Sequence, residues 1–149
     1  FIECYLKRLI YTFKYISNTM IKTIDSREDV SILVHAFYAK IRKDTEIGHF
    51  FNEVIEDWNE HLEKLTNFWE MNLFGTRTFT GNPIEAHIRV DEKFECVIST
   101  HEFGIWLNHW FATIDELFVG ENADILKRRA RKMSTMLFMN MFQSRKKIE

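Results

Sequence analysis

Apolar residues recur at three- and four-residue spacing along most of this chain, which is the pattern of amphipathic helices. No long run alternates apolar and polar residues in the way that a half-buried strand does. One Pro and five Gly in 149 residues leave few positions at which a helix must break. The pattern therefore predicts an all-α fold.

The local sequence at two predicted helix starts supports this helical interpretation. Ser26 followed by Asp29 has the form of a capping box, a hydroxyl cap with an acid three residues on. Asn82 before Pro83 is a strong start for another helix, because Asn caps well and Pro suits the first helical position. The sequence predicts that His61 lies near the start of one helix and His87 one turn into the next.

Other segments are predicted with less local support. One apolar helix is expected to span Phe94 to Phe111, and a last helix to span about Asn122 to Lys146. Phe50 and Phe51 are expected in a loop.

The first part of the chain is predicted to be an extension, residues 1–20, and the folded domain to be residues 21–149. The extension has a basic amphipathic pattern, and a helix touching a membrane surface is the alternative interpretation. Its apolar stretches are short and broken by charge, so we expect neither a spanning helix nor a signal peptide, and no clear membrane association.

Composition narrows the class of ligand. Hydrophobic residues make up 46% and aromatic residues 15% of the chain, with fourteen Phe and four Trp, which suits the lining of a pocket for a large flat ligand. A net charge of −2 provides no basic field for nucleic acid. Cys4 and Cys96 lie far apart and match no zinc spacing, so we expect free thiols and a cytoplasmic location.

His61 and His87 are the leading candidates for chemistry. Two imidazoles facing each other across an aromatic pocket could form a haem or metal site, although each could also be an ordinary core histidine. A zinc-protease helix beginning at His101 fails because Ile105 occupies the second histidine position. A di-iron bundle needs repeated Glu-x-x-His pairs, and the one pair present, Glu46 with His49, straddles a glycine.

Two further side chains can donate hydrogen bonds into such a pocket. Tyr38 lies on an apolar helix face, where its hydroxyl either points inward or reaches solvent. The indole N–H of Trp106 is a donor only, and a plain core Trp is the alternative. His101 and His109 are expected at the surface, and His35 is expected to be a surface or an ordinary packing residue.

Several segments between about Ile21 and Arg145 follow one another in a characteristic order and spacing: Phe37-Tyr38, Ile41-Arg42-Lys43-Asp44, Ile47-Gly48, Phe51-Asn52, Asp57-Trp58, His61-Leu62, Asn67-Phe68-Trp69, Gly81-Asn82-Pro83, His87, Ile105-Trp106-Leu107 and Arg129-Ala130-Arg131-Lys132-Met133. In these segments the chain resembles the truncated haemoglobins of group III. No glycine pairs occur, in contrast to the other truncated-haemoglobin groups.

The resemblance implies a two-over-two helical sandwich around one b-type haem. It implies that His87 is the proximal iron ligand and that Phe51 packs on the porphyrin. It places Tyr38, His61 and Trp106 in the distal pocket. Lys64 is a weaker candidate for pairing with a haem propionate.

The expected function is the binding of O2 and other diatomic ligands such as NO and CO. Two donors would slow O2 release by roughly ten- to a hundred-fold, which favours chemistry or sensing over delivery. The alternatives are a haem enzyme for NO dioxygenation or peroxidase-like turnover, supplied by a reductase, and a helical interaction module without a cofactor.

Overall fold

The computed structural model describes residues 21–145, and the expectations for residues 1–20 lie outside that range. Apart from one isolated bridge between Lys22 and Phe118, the regular structure of this range is helical, so the predicted all-α class is confirmed. The helices are α1 Arg27–Ile41, α2 Gly48–Asn52, α3 Trp58–Phe74, α4 Pro83–Lys93, α5 Thr100–Leu117 and α6 Glu121–Arg145.

The four longest helices form two packed pairs. Helix α1 packs on α3 and α5, whereas α6 packs on α5, α3 and α4. The pair α1 and α3 therefore lies over the pair α5 and α6, which confirms the predicted two-over-two sandwich. Side chains with no solvent exposure fill the space between the pairs: Val30, Leu33, Val34, Phe37, Ile41, Trp110, Ile114, Leu126 and Ala130.

Short-range capping explains where α1 begins. The Ser26 hydroxyl accepts a hydrogen bond from the Asp29 N–H at 3.2 Å, and the Asp29 carboxylate accepts one from the Ser26 N–H at 3.1 Å. This reciprocal pair is the predicted capping box. Burial alone would raise the pKa of Asp29, but hydrogen bonds from Lys22, Asp25 and Ser26 outweigh it and lower the pKa to about 2.

The predicted start of α4 is also confirmed. Asn82 Oδ1 accepts a hydrogen bond from the Glu85 N–H at 3.3 Å, and Pro83 occupies the first helical turn. The preceding helix, α3, begins at the capping side chain of Asp57 and ends at Gly75, whose φ of +72° is costly for other residues. The loop between Gly75 and Asn82 therefore connects the helix that carries His61 to the helix that carries His87.

Two predictions about helix boundaries are wrong. Phe50 and Phe51 lie in the short helix α2 rather than in a loop. The single helix expected from Phe94 to Phe111 is interrupted, because α4 ends at Lys93 and α5 begins at Thr100. Between them the backbone adopts positive φ at Glu95 and Cys96, and a second capping box formed by Ser99 and Glu102 starts α5.

None of the helices within residues 21–145 has the length and apolarity needed to cross a lipid bilayer.

Candidate functional site

Large apolar side chains near α3, α4 and α5 are only half-buried, which is unusual so close to a well-packed core. Helices α3 and α4 both rest on α6, and α4 has no comparable packing on α3. Apolar residues that are excluded from the core but cluster beside it are typical of the lining of a ligand pocket. These partly buried residues include Phe51, Trp58, Leu62, Leu65, Phe79, Ile105, Trp106 and Leu107.

Tyr38 is the centre of one group of candidate residues. Its side chain is only 5% exposed, so the interpretation that its tip reaches solvent is wrong. The Tyr38 ring lies 5.9 Å from the Phe51 ring and 6.1 Å from the His61 ring, centroid to centroid, and the ring planes meet at 67° and 90° respectively. The structure thus brings three of the predicted site residues together.

Trp106 joins this group from α5. Its ring lies 5.0 Å from Phe37 and stacks on Trp110 at 5.5 Å, with 14° between the ring planes. Burial raises the pKa of Tyr38 well above its usual value, and a hydrogen bond from Trp106 partly opposes that rise. Since indole has only an N–H to offer, Trp106 donates to the phenolic oxygen. The Tyr38 hydroxyl stays protonated and keeps its own hydrogen to donate elsewhere.

His61 is a neutral side chain at pH 7. Burial lowers the pKa of its imidazole, and the positive charge of Lys64 lowers it further. Trp58 lies 5.9 Å from the His61 ring, and the Arg42 guanidinium covers the Trp58 ring at 4.3 Å. Arg42 and Trp58 also line a surface depression together with Ala39, Lys43 and Asn52.

Lys64 lies on α3, outside the aromatic group around Tyr38, and its side chain is exposed. A Cβ added to Gly81 would lie 3.5 Å from Lys64 Cε, so the lysine stem reaches from α3 toward the loop that precedes α4. Its ammonium group is therefore available to an anionic edge of a ligand.

His87 is oriented by its own helix. Its Nδ1 lies 2.7 Å from the Pro83 carbonyl oxygen, and because a carbonyl only accepts, Nδ1 carries the proton. Nε2 then holds the free lone pair that can bind a metal. Burial lowers the pKa of His87, against a smaller opposite effect of the Pro83 bond, so the ring is neutral at pH 7.

The environment of His87 combines burial with access to solvent. Much of the side chain can be reached by water, yet enough protein surrounds it to lower its pKa. Both properties are expected of a side chain that lines an open cleft. The ring stacks beside Phe103 at 6.4 Å with 24° between the planes.

Helix α5 connects the two groups of candidate residues. Phe103 contacts His87, and Trp106 contacts Tyr38. These two α5 residues are three positions apart, on one face and about 4.5 Å along the helix axis. His87 and the Tyr38 group therefore adjoin the same turn of α5.

Two contributors to the site were missed by sequence reasoning. Phe103 and Pro83 hold the His87 ring, one by stacking and one by hydrogen bonding. The four-residue spacing of Pro83 and His87 could have indicated the hydrogen bond, whereas Phe103 has no local pattern that sets it apart from core residues. Within residues 21–145, no three His, Cys, Asp or Glu side chains come together as a metal site.

The residues present fit a haem. A porphyrin needs apolar and aromatic side chains around it, and half-buried residues of this kind lie beside the core. Iron in such a group takes a neutral imidazole, which His87 can offer through Nε2. Few polar groups lie around Tyr38, and stacking on Trp110 orients one of them, the Trp106 indole.

Comparisons with known proteins agree with this description. No protein-family model matches the chain. The group 3 truncated hemoglobin ctb of Campylobacter jejuni is 29% identical over 120 residues, which cover 78% of this chain and 90% of that protein. The crystal structure of the group III truncated hemoglobin from Campylobacter jejuni superposes with a TM-score of 0.73 and 26% identity, covering 82% of this chain and 95% of that one.

Proposed function

We propose that this chain, which is similar to group III truncated haemoglobins in sequence and in fold, is a member of that group, holds one b-type haem beside α3, α4 and α5, and binds dioxygen or another diatomic gas. The observation that carries the proposal is the joint arrangement on α5. A neutral imidazole with a free nitrogen contacts Phe103, and one turn away on α5 the half-buried Trp106 interacts with the buried Tyr38, which together make two hydrogen-bond donors.

His87 is the proposed axial ligand. When bound, haem supplies a ferrous iron that takes one imidazole and one diatomic ligand. The Pro83 carbonyl holds Nδ1–H, which fixes both the tautomer and the ring orientation. The lowered pKa keeps His87 deprotonated at Nε2 under physiological conditions, so binding requires no proton release at that atom.

Tyr38 and Trp106 are proposed to control the gas ligand. Trp106 donates its N–H to the Tyr38 oxygen and so directs the remaining Tyr38 O–H toward the pocket. Stacking of Trp106 on Trp110 holds this arrangement in place before a ligand arrives. A preorganised donor favours ligands that gain negative charge, such as dioxygen, over carbon monoxide.

The remaining predicted residues have supporting roles in this proposal. His61, neutral and 6.1 Å from the Tyr38 ring, adds a polar group to the distal side. Phe51 packs edge-on against Tyr38 and offers an aromatic surface to the porphyrin. Lys64, exposed at the rim, is positioned to pair with a propionate.

The hydrogen bond on His87 bears on the alternative enzymatic function. Peroxidase chemistry is favoured when a carboxylate accepts from the proximal imidazole, since this makes the imidazole more basic. Here a neutral carbonyl accepts instead. Glu85, the nearest acid in sequence, pairs with Arg89 at 2.6 Å. The site therefore favours gas binding, or NO dioxygenation with a reductase, over peroxidase-like turnover.

Titration of the purified protein with ferric haem tests the proposal. We expect a Soret band that saturates at one equivalent, together with quenching of tryptophan fluorescence, since Trp58 and Trp106 line the proposed site. A helical module without a cofactor would show neither a saturable Soret shift nor a stoichiometric end point, and that result would refute the proposal.

A further inference from the structure

Helix α4 carries His87 but is weakly anchored by apolar packing. Its one buried residue is Asp91, which is 2% exposed, while Ile84, Ile88 and Val90 are only half-buried. Helix α6 is its main packing partner within the described part of the chain. The position of α4 must therefore depend on specific polar contacts more than on a hydrophobic face.

An ion pair between Asp91 and Arg145 supplies that contact. Arg145 Nε lies 2.7 Å from Asp91 Oδ2, and Arg145 Nη2 lies 2.6 Å from Oδ1, so the two groups are joined by two parallel hydrogen bonds. Arg145 Nη2 also donates to the Ile98 carbonyl at 2.6 Å. One guanidinium thus joins the end of α6 to α4 and to the loop that leads into α5. Paired bonds of this kind fix direction as well as distance.

Asp91 lies on the same side of α4 as His87. The two residues are four positions apart, so their side chains project from one face about one turn from each other. Phe103, which stacks beside the imidazole, lies 6.0 Å from Phe138 of α6, centroid to centroid. Helix α6 therefore supports His87 in two ways, through the Phe103–Phe138 contact and through the ion pair.

We propose that Asp91 and Arg145 are positioning residues that set the height and tilt of His87 relative to the haem. The inference rests on the proposed function, because it assumes that His87 binds the iron. Two other contacts hold the same end of α4, from Lys93 Nζ to the Glu53 carbonyl at 2.6 Å and from Phe94 to Phe50.

Asp91→Asn in the haem-loaded protein tests this role. The change keeps the side-chain shape and removes the charge that pairs with Arg145. We expect haem transfer to excess apomyoglobin to become about tenfold faster, equivalent to about 1.4 kcal/mol. We also expect the iron–imidazole stretching band in the resonance Raman spectrum of the ferrous protein to shift. Glu92→Gln is the matched control, since it removes an exposed acid from the adjacent position. It should leave the rate of haem transfer within twofold of wild type and the iron–imidazole band unshifted.

Arg145→Lys keeps the charge but cannot form both parallel bonds, and it should show an intermediate effect even if Asp91→Asn fails to fold. The double variant Asp91→Asn with Arg145→Gln should be no worse than the more impaired single variant, since both changes break the same contact.

Three outcomes would overturn either the positioning role or the proposed function. A folded Asp91→Asn or Arg145→Lys protein with the wild-type Raman band overturns the positioning role, even if haem leaves faster, because only helix stability would then have changed. Unchanged band and unchanged haem transfer overturn it as well. A wild-type protein that takes up no haem instead overturns the proposed function on which this inference rests.

Discussion

Replacing Tyr38 by Phe removes one hydroxyl from the proposed distal pocket and leaves the ring in place. The Tyr38 side chain is buried, and the interaction with the Trp106 N–H opposes the rise in the tyrosine pKa that burial causes. In the proposed pocket, the hydrogen of this hydroxyl is the donor to the gas ligand. The substitution removes that donor and also deprives the Trp106 N–H of its acceptor.

The expected effect on ligand release follows from these two losses. A hydrogen bond to a ligand with partial negative charge contributes about 1.4 kcal/mol, so we expect O2 to dissociate about tenfold faster from Tyr38→Phe. Trp106→Phe should have a smaller effect, because in this arrangement the indole acts through the tyrosine. The two donors therefore operate in series, and the double variant should release O2 at nearly the Tyr38→Phe rate.

Stopped-flow replacement of O2 by CO measures these rates directly. Carbon monoxide gains little from a hydrogen-bond donor, so its own dissociation rate serves as an internal control and should change less than threefold. An O2 dissociation rate within twofold of wild type in Tyr38→Phe would refute the assignment of this hydroxyl. Independent, multiplicative effects of the two substitutions would refute the series arrangement.

Three further predictions concern stability and its dependence on pH. Asp29→Asn should lower the free energy of unfolding by about 2 kcal/mol at pH 7, because the pKa of Asp29 in the folded protein is about 2 against an ordinary 3.8. In urea titrations this loss of stability should shrink as the pH falls from about 4 to about 2, and a loss that is independent of pH would contradict the prediction. Gly75→Ala should cost about 1 kcal/mol in chemical denaturation, since φ is +72° and no neighbouring atom would clash with the added methyl group; an unchanged midpoint would argue against a backbone cost. In the haem-free protein, His61→Leu should reduce the loss of unfolding free energy as the pH falls below 6.5, because the lowered pKa of His61 in the folded state means that protonation of His61 opposes folding. If the variant and the wild type lose equal stability over this pH range, His61 makes no such contribution.

Helix starts that depend on neighbouring residues could be predicted from the sequence. The Ser26–Asp29 capping box and the Asn82–Pro83 start are local arrangements whose hydrogen bonds form within one helical turn. The two-over-two class followed from the resemblance of ordered segments to a known family. These features need no knowledge of which helices meet in space.

The break between α4 and α5 could not be predicted from helical spacing. Apolar residues continue at helical spacing through Phe94, Val97 and Ile98, yet the chain turns with positive φ at Glu95 and Cys96. The turn is held by Arg145, which bonds Asp91 and Ile98 from the far end of the chain. Ser99 and Glu102 form a capping box that could have revealed the start of α5, but the contact with Arg145 has no local sequence pattern.

Candidate site residues were easier to identify than their surroundings. Residue type and helical spacing made Tyr38, His61, Trp106 and His87 candidates, with ordinary core or surface residues as the alternative, and the resemblance to a known family implied their roles. Whether a hydroxyl is buried depends on packing between helices. Tyr38 is buried because α1 lies against both α3 and α5, a fact that the sequence of α1 alone does not contain.

The central claim, that His87 binds the iron of a haem in this cleft, is tested most directly by visible spectra of His87→Gly with and without added imidazole. The account predicts that ferric and ferrous wild-type spectra are strongly altered in His87→Gly and are restored by imidazole, which enters the space left by the side chain. His35→Gly, which removes an exposed histidine, should retain the wild-type spectra. Wild-type spectra in His87→Gly without imidazole would contradict the claim, because another residue would then supply the axial ligand.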